Sequence, residues 1–130
     1  MWDWLAKWFG AKKEDSLGGQ GENLAARFLQ DKGYKIIQRN FKCTVGEIDI
    51  IARDGNTLVF VEVKSRADDN PMPEEQVNSV KRHQITKAAQ AFLSRYSTSP
   101  PPARFDVIAV VWPRGRDAMI RHTPDAFEAQ

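Results

Sequence analysis

The feature of this sequence that most constrains its fold is a hairpin signal in the middle of the chain. Two apolar-rich segments, VGEIDIIA and NTLVFVEVKSR, flank the short stretch Asp54-Gly55-Asn56. Asp, Gly and Asn favour a tight turn because their backbones adopt positive φ angles at little cost. The two segments are therefore predicted to be neighbouring antiparallel strands.

A helix and a further strand are predicted before the hairpin. Apolar residues recur every three or four positions from Leu17 to Leu29, and Gly33 follows as a natural helix end. This pattern predicts a helix over about 18–31. The next segment, GYKIIQRNFKC, is rich in β-branched and aromatic residues, so it is predicted to be a strand that completes a three-stranded meander.

The second half of the chain predicts one more helix and one or two more strands. After Pro71 and Pro73, an apolar stripe from Val77 to Tyr96 predicts an amphipathic helix of about twenty residues. The almost continuously apolar ARFDVIAVVW predicts a buried strand, and AMIRHTPDAF predicts a short edge strand. The whole order predicts an α/β domain with a mixed central sheet flanked by helices.

Length and composition limit what such a domain can be. A chain of 130 residues with 42% hydrophobic and 28% charged residues fits one globular domain, predicted over 16–130, after an amphipathic extension at 1–15. A single cysteine and two histidines cannot form an intramolecular disulfide or a Cys/His zinc cage, so any metal would be bound by oxygen. No signal peptide or membrane span is recognisable, so we expect a cytoplasmic protein without a membrane span.

The hairpin carries charged residues at alternate positions, where they share a face of the sheet. If Gly55-Asn56 forms the two-residue loop, Asp49 lies opposite Glu62, and Glu47 lies opposite Lys64. If Asp54-Gly55 forms the loop, Glu47 lies opposite Glu62, with Asp49 as its diagonal neighbour. Both registers bring three carboxylates and one lysine together.

Facing carboxylates repel each other, so this cluster needs a compensating cation. Mg²⁺ would supply one, because it prefers hard oxygen ligands and binds through one or two carboxylates. The alternative is a solvated sheet face on which Glu47 or Asp49 forms a salt bridge with Lys64. We favour the metal site because both faces of the hairpin are also apolar. Ile51, Leu58 and Phe60 are expected on the charged face, and Ile48, Ile50, Val59, Val61 and Val63 on the other.

The segment VGEIDIIARDGNTLVFVEVKSR resembles the signature of the restriction-endonuclease-like superfamily: an acidic residue, a hairpin, and then Glu-x-Lys. The segment GGQGENLAARFLQDKGYKIIQRNFKC before it, and the later RFDVIAV, are similar to the YraN-like family of uncharacterised bacterial proteins, which is related to Holliday-junction resolvases. The resemblance covers about residues 18–112 and implies a restriction-endonuclease-like αβββαβ core.

The resemblance also implies a set of functional residues. Asp49 and Glu62 would ligate Mg²⁺ or Mn²⁺, with the Val63 carbonyl as a third ligand, and Lys64 would orient or activate water. Glu22 matches an acidic residue of the first helix. A purely structural role explains Glu22 equally well, because a carboxylate near the start of a helix interacts favourably with the helix dipole.

Two basic segments suggest a polyanionic partner although the net charge is only +2. Residues 27–42 contain five basic residues and one acidic residue, and 76–97 contain four basic residues and no acidic one, so each has a charge of +4. Lys81 lies at the margin of the second apolar stripe, where its ammonium could reach a phosphate near the acidic face. The other candidate nucleic-acid contacts are Arg39, Asn40 and Arg66. We assign no role to His83, His122 or Cys43.

Three functions follow from this sequence, in decreasing order of support. The first is a Mg²⁺-dependent endonuclease-like enzyme that hydrolyses DNA phosphodiester bonds, with branched or junction DNA as a candidate substrate. The second is a non-catalytic nucleic-acid-binding module with a vestigial metal site. The third is a protein-interaction adaptor anchored by the Trp-rich residues 1–15. A homodimer is an open alternative to a monomer.

Overall fold

A computed structural model describes residues 17–130 of the chain. The amphipathic extension predicted for residues 1–15 lies outside the described residues. Five strands, two α-helices and one 3-10 turn make up the described part: α1 (Leu17–Asp31), β1 (Lys35–Cys43), β2 (Gly46–Asp54), β3 (Thr57–Arg66), the 3-10 turn (Pro73–Gln76), α2 (Ser79–Leu93), β4 (Ala103–Val111) and β5 (Met119–Phe127).

The five strands form one sheet in the order β1-β2-β3-β4-β5. β3 and β4 run parallel, and every other neighbouring pair is antiparallel. The parallel pair follows from the chain path, because the connection from β3 to β4 passes through α2 and returns the chain to the same end of the sheet. The predicted α/β fold with a mixed central sheet is confirmed, and it is compatible with a restriction-endonuclease-like core.

The sheet lies between the two helices, so each of its faces is buried. On one face, Ala25 and Leu29 of α1 pack in a cluster with Ile50, Val61 and Ile108. Burial on both sides explains why β3 and β4 are almost continuously apolar rather than alternating.

The opposite face is covered by α2. Ile85 and Phe92 of this helix belong to a cluster with Ile51 and Phe60, and the rings of Phe60 and Phe92 meet edge to face with 5.9 Å between centroids. Polar side chains are stable inside such a sheet only where they find partners, so each buried charge needs a hydrogen bond or an ion pair.

Helix α2 is shorter than the apolar stripe predicted. It begins after Asn78, whose side-chain oxygen accepts a hydrogen bond from the backbone N–H of Lys81 at 3.0 Å. Val77 ends the preceding 3-10 turn, and Tyr96 lies beyond the last helical residue, Leu93. Both residues nevertheless pack on the core cluster. Their apolar side chains therefore indicated burial correctly, but the prediction that they are helical was wrong.

Strand β5 is nine residues long and was predicted to be short. It contains Pro124, which an edge strand tolerates because one side of its backbone has no sheet partner. Its pairing with β4 shifts register between Phe105 and Val107, and Asp125 adopts a left-handed backbone with φ of 51°. This irregularity lets the strand continue past the proline.

The residue Ile48 lies on the opposite face from the one predicted. It belongs to the cluster under α2 together with Ile51, whereas Ile50 belongs to the cluster under α1. Two residues of a regular strand that are three apart would point to opposite faces. The alternation therefore breaks at Asp49, between Ile48 and Ile50.

Among the helices within residues 17–130, none is long and apolar enough to cross a membrane.

Candidate functional site

The turn of the β2–β3 hairpin sets which carboxylates can meet. Backbone pairing runs from Asp54 opposite Thr57 down to Ile50 opposite Val61, which is the register predicted for a Gly55-Asn56 loop. Pairing stops at Ile50 and Val61. The next residues in that register are Asp49 and Glu62, so the carboxylates lie where the two strands begin to separate.

Asp49 lies between the strands rather than on a regular face. Its Oδ2 accepts a hydrogen bond from the backbone N–H of Val63 at 2.8 Å, and the residue is only 7% exposed. Strand N–H groups point along the plane of the sheet, so this carboxylate takes the place of a backbone carbonyl from β2. Interruptions of this kind commonly redirect a side chain beside a functional site.

The edge strand β1 is also irregular beside Asp49. Asn40 lies between the paired residues Arg39–Ile50 and Phe41–Ile48, which places it across from Asp49. Its backbone is left-handed, with φ of 53°, a conformation that asparagine tolerates better than most residues. The sheet is therefore distorted on both sides of the Asp49 carboxylate.

Glu62 is buried beside Asp49 and is 3% exposed. The pKa of Glu62 is raised to about 8, mainly by burial and then by the charge of Asp49 and a hydrogen bond with it, while the charges of Lys81 and Lys64 act against the shift. The Nζ of Lys81 lies 3.5 Å from Oε2 of Glu62. Contact between two buried acids disfavours the state in which both are ionised, and nearby positive charge relieves this repulsion.

The donor set fits Mg²⁺ or Mn²⁺ through two carboxylates and solvent. No group of three or more His, Cys, Asp or Glu side chains within residues 17–130 is arranged to hold a metal ion. A closed zinc-type or calcium-type cage is therefore absent from the described part of the chain. Mg²⁺ commonly binds through one or two carboxylates and keeps several waters, which is what Asp49 and Glu62 can support. Ligation by the Val63 carbonyl stays a prediction.

Glu22 reaches the site region from the other face of the sheet. It lies on α1, is buried, and forms an ion pair in which Arg39 Nη2 is 3.7 Å from its Oε1. The neighbouring Gly21 packs so closely on Ser65 of β3 that an added Cβ would overlap the serine hydroxyl. Glu22 is thus held near the end of β3 that carries Lys64, and its assignment as a catalytic residue stays a prediction.

The remaining charged residues predicted for the site are more exposed. Glu47 forms an ion pair with Lys42 of β1 at 3.9 Å, and the hairpin does not bring three carboxylates together around a metal position within residues 17–130. Lys64 is half-buried, and its charge lowers the pKa of Glu62. Arg66 ends β3, with its Nη2 3.6 Å from Oδ1 of Asp68.

Lys81 connects the buried acids to an open groove. The Asn78 cap fixes the first turn of α2, and from there Lys81 contacts Glu62 and also lines a groove with Lys42, Gln84 and the β1–β2 turn. The predicted position of this ammonium near the acidic residues matches the structure. Its contact with a nucleic-acid phosphate stays a prediction.

A second buried polar cluster was not foreseen from the sequence. Asp106 on β4 is fully buried, with His122 Nε2 at 2.7 Å and Arg104 Nε at 3.0 Å. Lys32 Nζ lies 2.9 Å from His122 Nδ1, and because an ammonium only donates, Nδ1 accepts and Nε2 donates to Asp106. An aspartate inside the apolar segment RFDVIAV was the available signal.

Comparison with known proteins places this sequence among bacterial relatives of similar length. Residues 21–110 match the profile of the uncharacterised protein family UPF0102. A UPF0102 protein of Geobacter metallireducens is 48% identical over 114 residues, covering 87% of this chain and 93% of the relative. UPF0102 proteins of Geobacter sulfurreducens and Chlorobium limicola are each 47% identical, covering 92% and 86% of this chain and 94% and 92% of the relatives.

Proposed function

We propose that this chain, which belongs to the uncharacterised protein family UPF0102, is a Mg²⁺-dependent endonuclease that hydrolyses DNA phosphodiester bonds. UPF0102 is the YraN-like family, so the family identified from the sequence is confirmed. The family carries no established activity, and the proposal therefore depends on the chemistry of the site.

The single observation that carries the proposal is the contact between the buried acids Asp49 and Glu62. Two adjacent carboxylates removed from water are unfavourable when both are ionised. The surrounding sheet nevertheless holds them together, through the hydrogen bond from Val63 to Asp49 and the ion pair from Lys81 to Glu62. A structure that maintains this arrangement is suited to binding a divalent cation.

Each residue near the pair has a defined task in the proposed reaction. Asp49 and Glu62 would hold the ion, which when bound supplies Lewis-acid stabilisation of the phosphate's negative charge. Lys64, close enough to influence Glu62, would orient the attacking water or stabilise the charge of the transition state. Lys81 would neutralise a substrate phosphate at the mouth of the groove.

The test is cleavage of a panel of branched, flapped and linear DNAs in Mg²⁺ or Mn²⁺. Glu62→Gln keeps the size of the side chain but removes a ligand charge, so cleavage should be lost while DNA binding survives. Lys64→Ala should leave ion binding largely intact and slow cleavage by about a hundredfold or more. If both variants cleave at the rate of the unchanged chain, the activity comes from elsewhere.

A non-catalytic nucleic-acid-binding module is the second candidate. The observation in its favour is the Lys81–Glu62 ion pair, which partly neutralises the acids by means of the chain's own lysine. This candidate predicts salt-sensitive DNA binding without cleavage of any member of the panel. It also predicts that Glu62→Gln binds DNA as tightly with Mg²⁺ as with a chelator.

A further inference from the structure

A groove runs between α1 and the edge strand β1, on the face of the sheet opposite α2. Six residues line it, and none of them is acidic: Asn23, Ala26, Arg27, Gln30, Ile36 and Arg39. The α1 residues at 23, 27 and 30 are four and three positions apart, so they form one stripe along the helix. The groove thus presents two guanidinium groups and two carboxamides.

Arg39 is the most constrained of these cations. Its Nη2 lies 3.7 Å from the Glu22 carboxylate, and its Nε is buried without a hydrogen-bond partner among residues 17–130. The side chain is 34% exposed, so an incoming ligand can reach the guanidinium. Phosphate oxygens match the planar fork of arginine, so the exposed part of this guanidinium is suited to a phosphate.

Each wall of the groove adjoins a residue beside the candidate site. The residue after Arg39 is Asn40, which lies across from Asp49 in the sheet. On the helix side, Gly21 is next to Glu22 and packs against Ser65, which follows Lys64. A strand lying in the groove would therefore run on the α1 side of the sheet, beside Glu22 and the stretch of β1 that lies across from Asp49.

We propose that the groove between α1 and β1 binds the phosphodiester backbone of one nucleic-acid strand on the α1 side of the candidate site. The proposal rests on the proposed function, in which the bound nucleic acid is the substrate that is cleaved. Guanidinium and amide donors recognise phosphates regardless of base, and the six lining residues include no aromatic ring on which a base could stack. Binding here should therefore tolerate any sequence.

The test compares charge reversals on the two helices. Arg27→Glu changes an exposed groove residue, and Lys87→Glu makes the same change of charge on an exposed residue of α2. Binding of a fluorescent single-stranded DNA of mixed sequence is measured by anisotropy with a chelator present, over a series of salt concentrations. We expect Arg27→Glu to weaken binding by about tenfold at low salt and to lower the salt slope, and Lys87→Glu to weaken it by less than about threefold.

Equal losses of DNA affinity in the two variants, or no loss in either, would contradict DNA binding in the groove. Gln30→Glu gives a second reading on the same stripe and should weaken binding in the same direction as Arg27→Glu. Thermal melting of each variant verifies that the fold is intact.

The cleavage assay separates this proposal from the proposed function. If DNA binding follows the expected pattern but the unchanged chain cleaves nothing, DNA binding in the groove is supported and the endonuclease activity is contradicted. If the chain cleaves DNA while Arg27→Glu and Lys87→Glu bind DNA equally, the endonuclease activity is supported and DNA binding in the groove is contradicted. When both hold, Arg27→Glu should raise KM and leave kcat nearly unchanged.

Discussion

At the scale of single residues, Glu62 is the side chain whose chemistry depends most on the fold. The same carboxyl on an exposed strand would ionise near its ordinary value of 4.5, whereas burial and the neighbouring Asp49 raise its pKa to about 8. Between those two values the folded chain holds more protons than the unfolded chain. The free energy of unfolding contributed by Glu62 therefore falls as the pH rises through this range.

Replacing Glu62 should remove this pH dependence. With a chelator present, we expect Glu62→Gln to be more stable than the unchanged chain above pH 8, by roughly 2–4 kcal/mol, and closer to it at pH 5. Urea unfolding at pH 5, 7 and 9 measures the effect. Glu128→Gln, a change at an exposed position near the end of the chain, serves as the matched control. A constant difference between Glu62→Gln and the unchanged chain across the range would show that Glu62 is not proton-linked.

At the scale of elements, the close approach of the β1–β2 turn to α2 positions Lys81. Gly46 lies directly against the backbone of α2, and a Cβ added there would be 2.8 Å from the carbonyl oxygen of Gln84. Backbone cannot rotate away as a flexible side chain can, so helix or turn would have to move. Lys81 is one helical turn before Gln84 and reaches Glu62 from this contact.

A single methyl group at Gly46 should therefore disturb both stability and the site. We expect Gly46→Ala to lower the free energy of unfolding by about 1–3 kcal/mol. It should also displace Lys81 from the groove that this lysine lines, and so reduce salt-sensitive DNA binding. Thr44→Ala, at an exposed position of the same turn, provides the control. If Gly46→Ala is as stable as Thr44→Ala, the packing of the turn on α2 is looser than the structure indicates.

At the scale of the whole molecule, the cluster around Asp106 joins parts of the chain that are distant in sequence. Its carboxylate accepts hydrogen bonds from Arg104 and the backbone of Asp125 and lies beside His122. Arg104 also contacts the hydroxyl of Tyr34, which follows α1. Burial acts to raise the pKa of Asp106, but the hydrogen bonds from His122 and Arg104 outweigh it and lower the pKa.

Removing that carboxylate should be costly because its cationic and polar partners would stay buried. We expect Asp106→Ala to lower the free energy of unfolding by about 3–5 kcal/mol, compared with little change for Asp31→Ala at an exposed position. A lowered pKa gives stability above the unfolded value of 3.8 that is lost as the pH falls further. Urea unfolding from pH 7 to pH 3 tests both statements. A loss below about 1 kcal/mol would contradict the assigned role.

Ion binding should also be visible in the stability of the whole domain. An ion that binds only the folded state raises the melting temperature with concentration. We expect Mg²⁺ or Mn²⁺ to raise the Tm of the unchanged chain, and Glu62→Gln to abolish most of the increase. Thermal melting with and without each ion measures this, with Ca²⁺ as a comparison. An unchanged Tm at millimolar Mn²⁺ would contradict a functional ion site.

The sequence by itself determined the helices, the hairpin and the family, because each depends on local patterns. Apolar spacing predicts α1, and the Asp-Gly-Asn turn predicts the hairpin and limits the pairing of its two strands to two registers. The expected α/β class follows from the order of these elements. The strand pattern alone therefore groups the side chains at 49, 62 and 64.

Only the tertiary structure decided which contacts those residues make. The choice between the two registers, the break in alternation at Asp49 and the burial of Glu62 depend on how β1, β2 and β3 pack together. Lys81 and Asp106 meet their partners across distances in sequence that no local pattern encodes. Periodicity reports which side of an element is apolar, whereas contacts between elements depend on the packing of the whole chain.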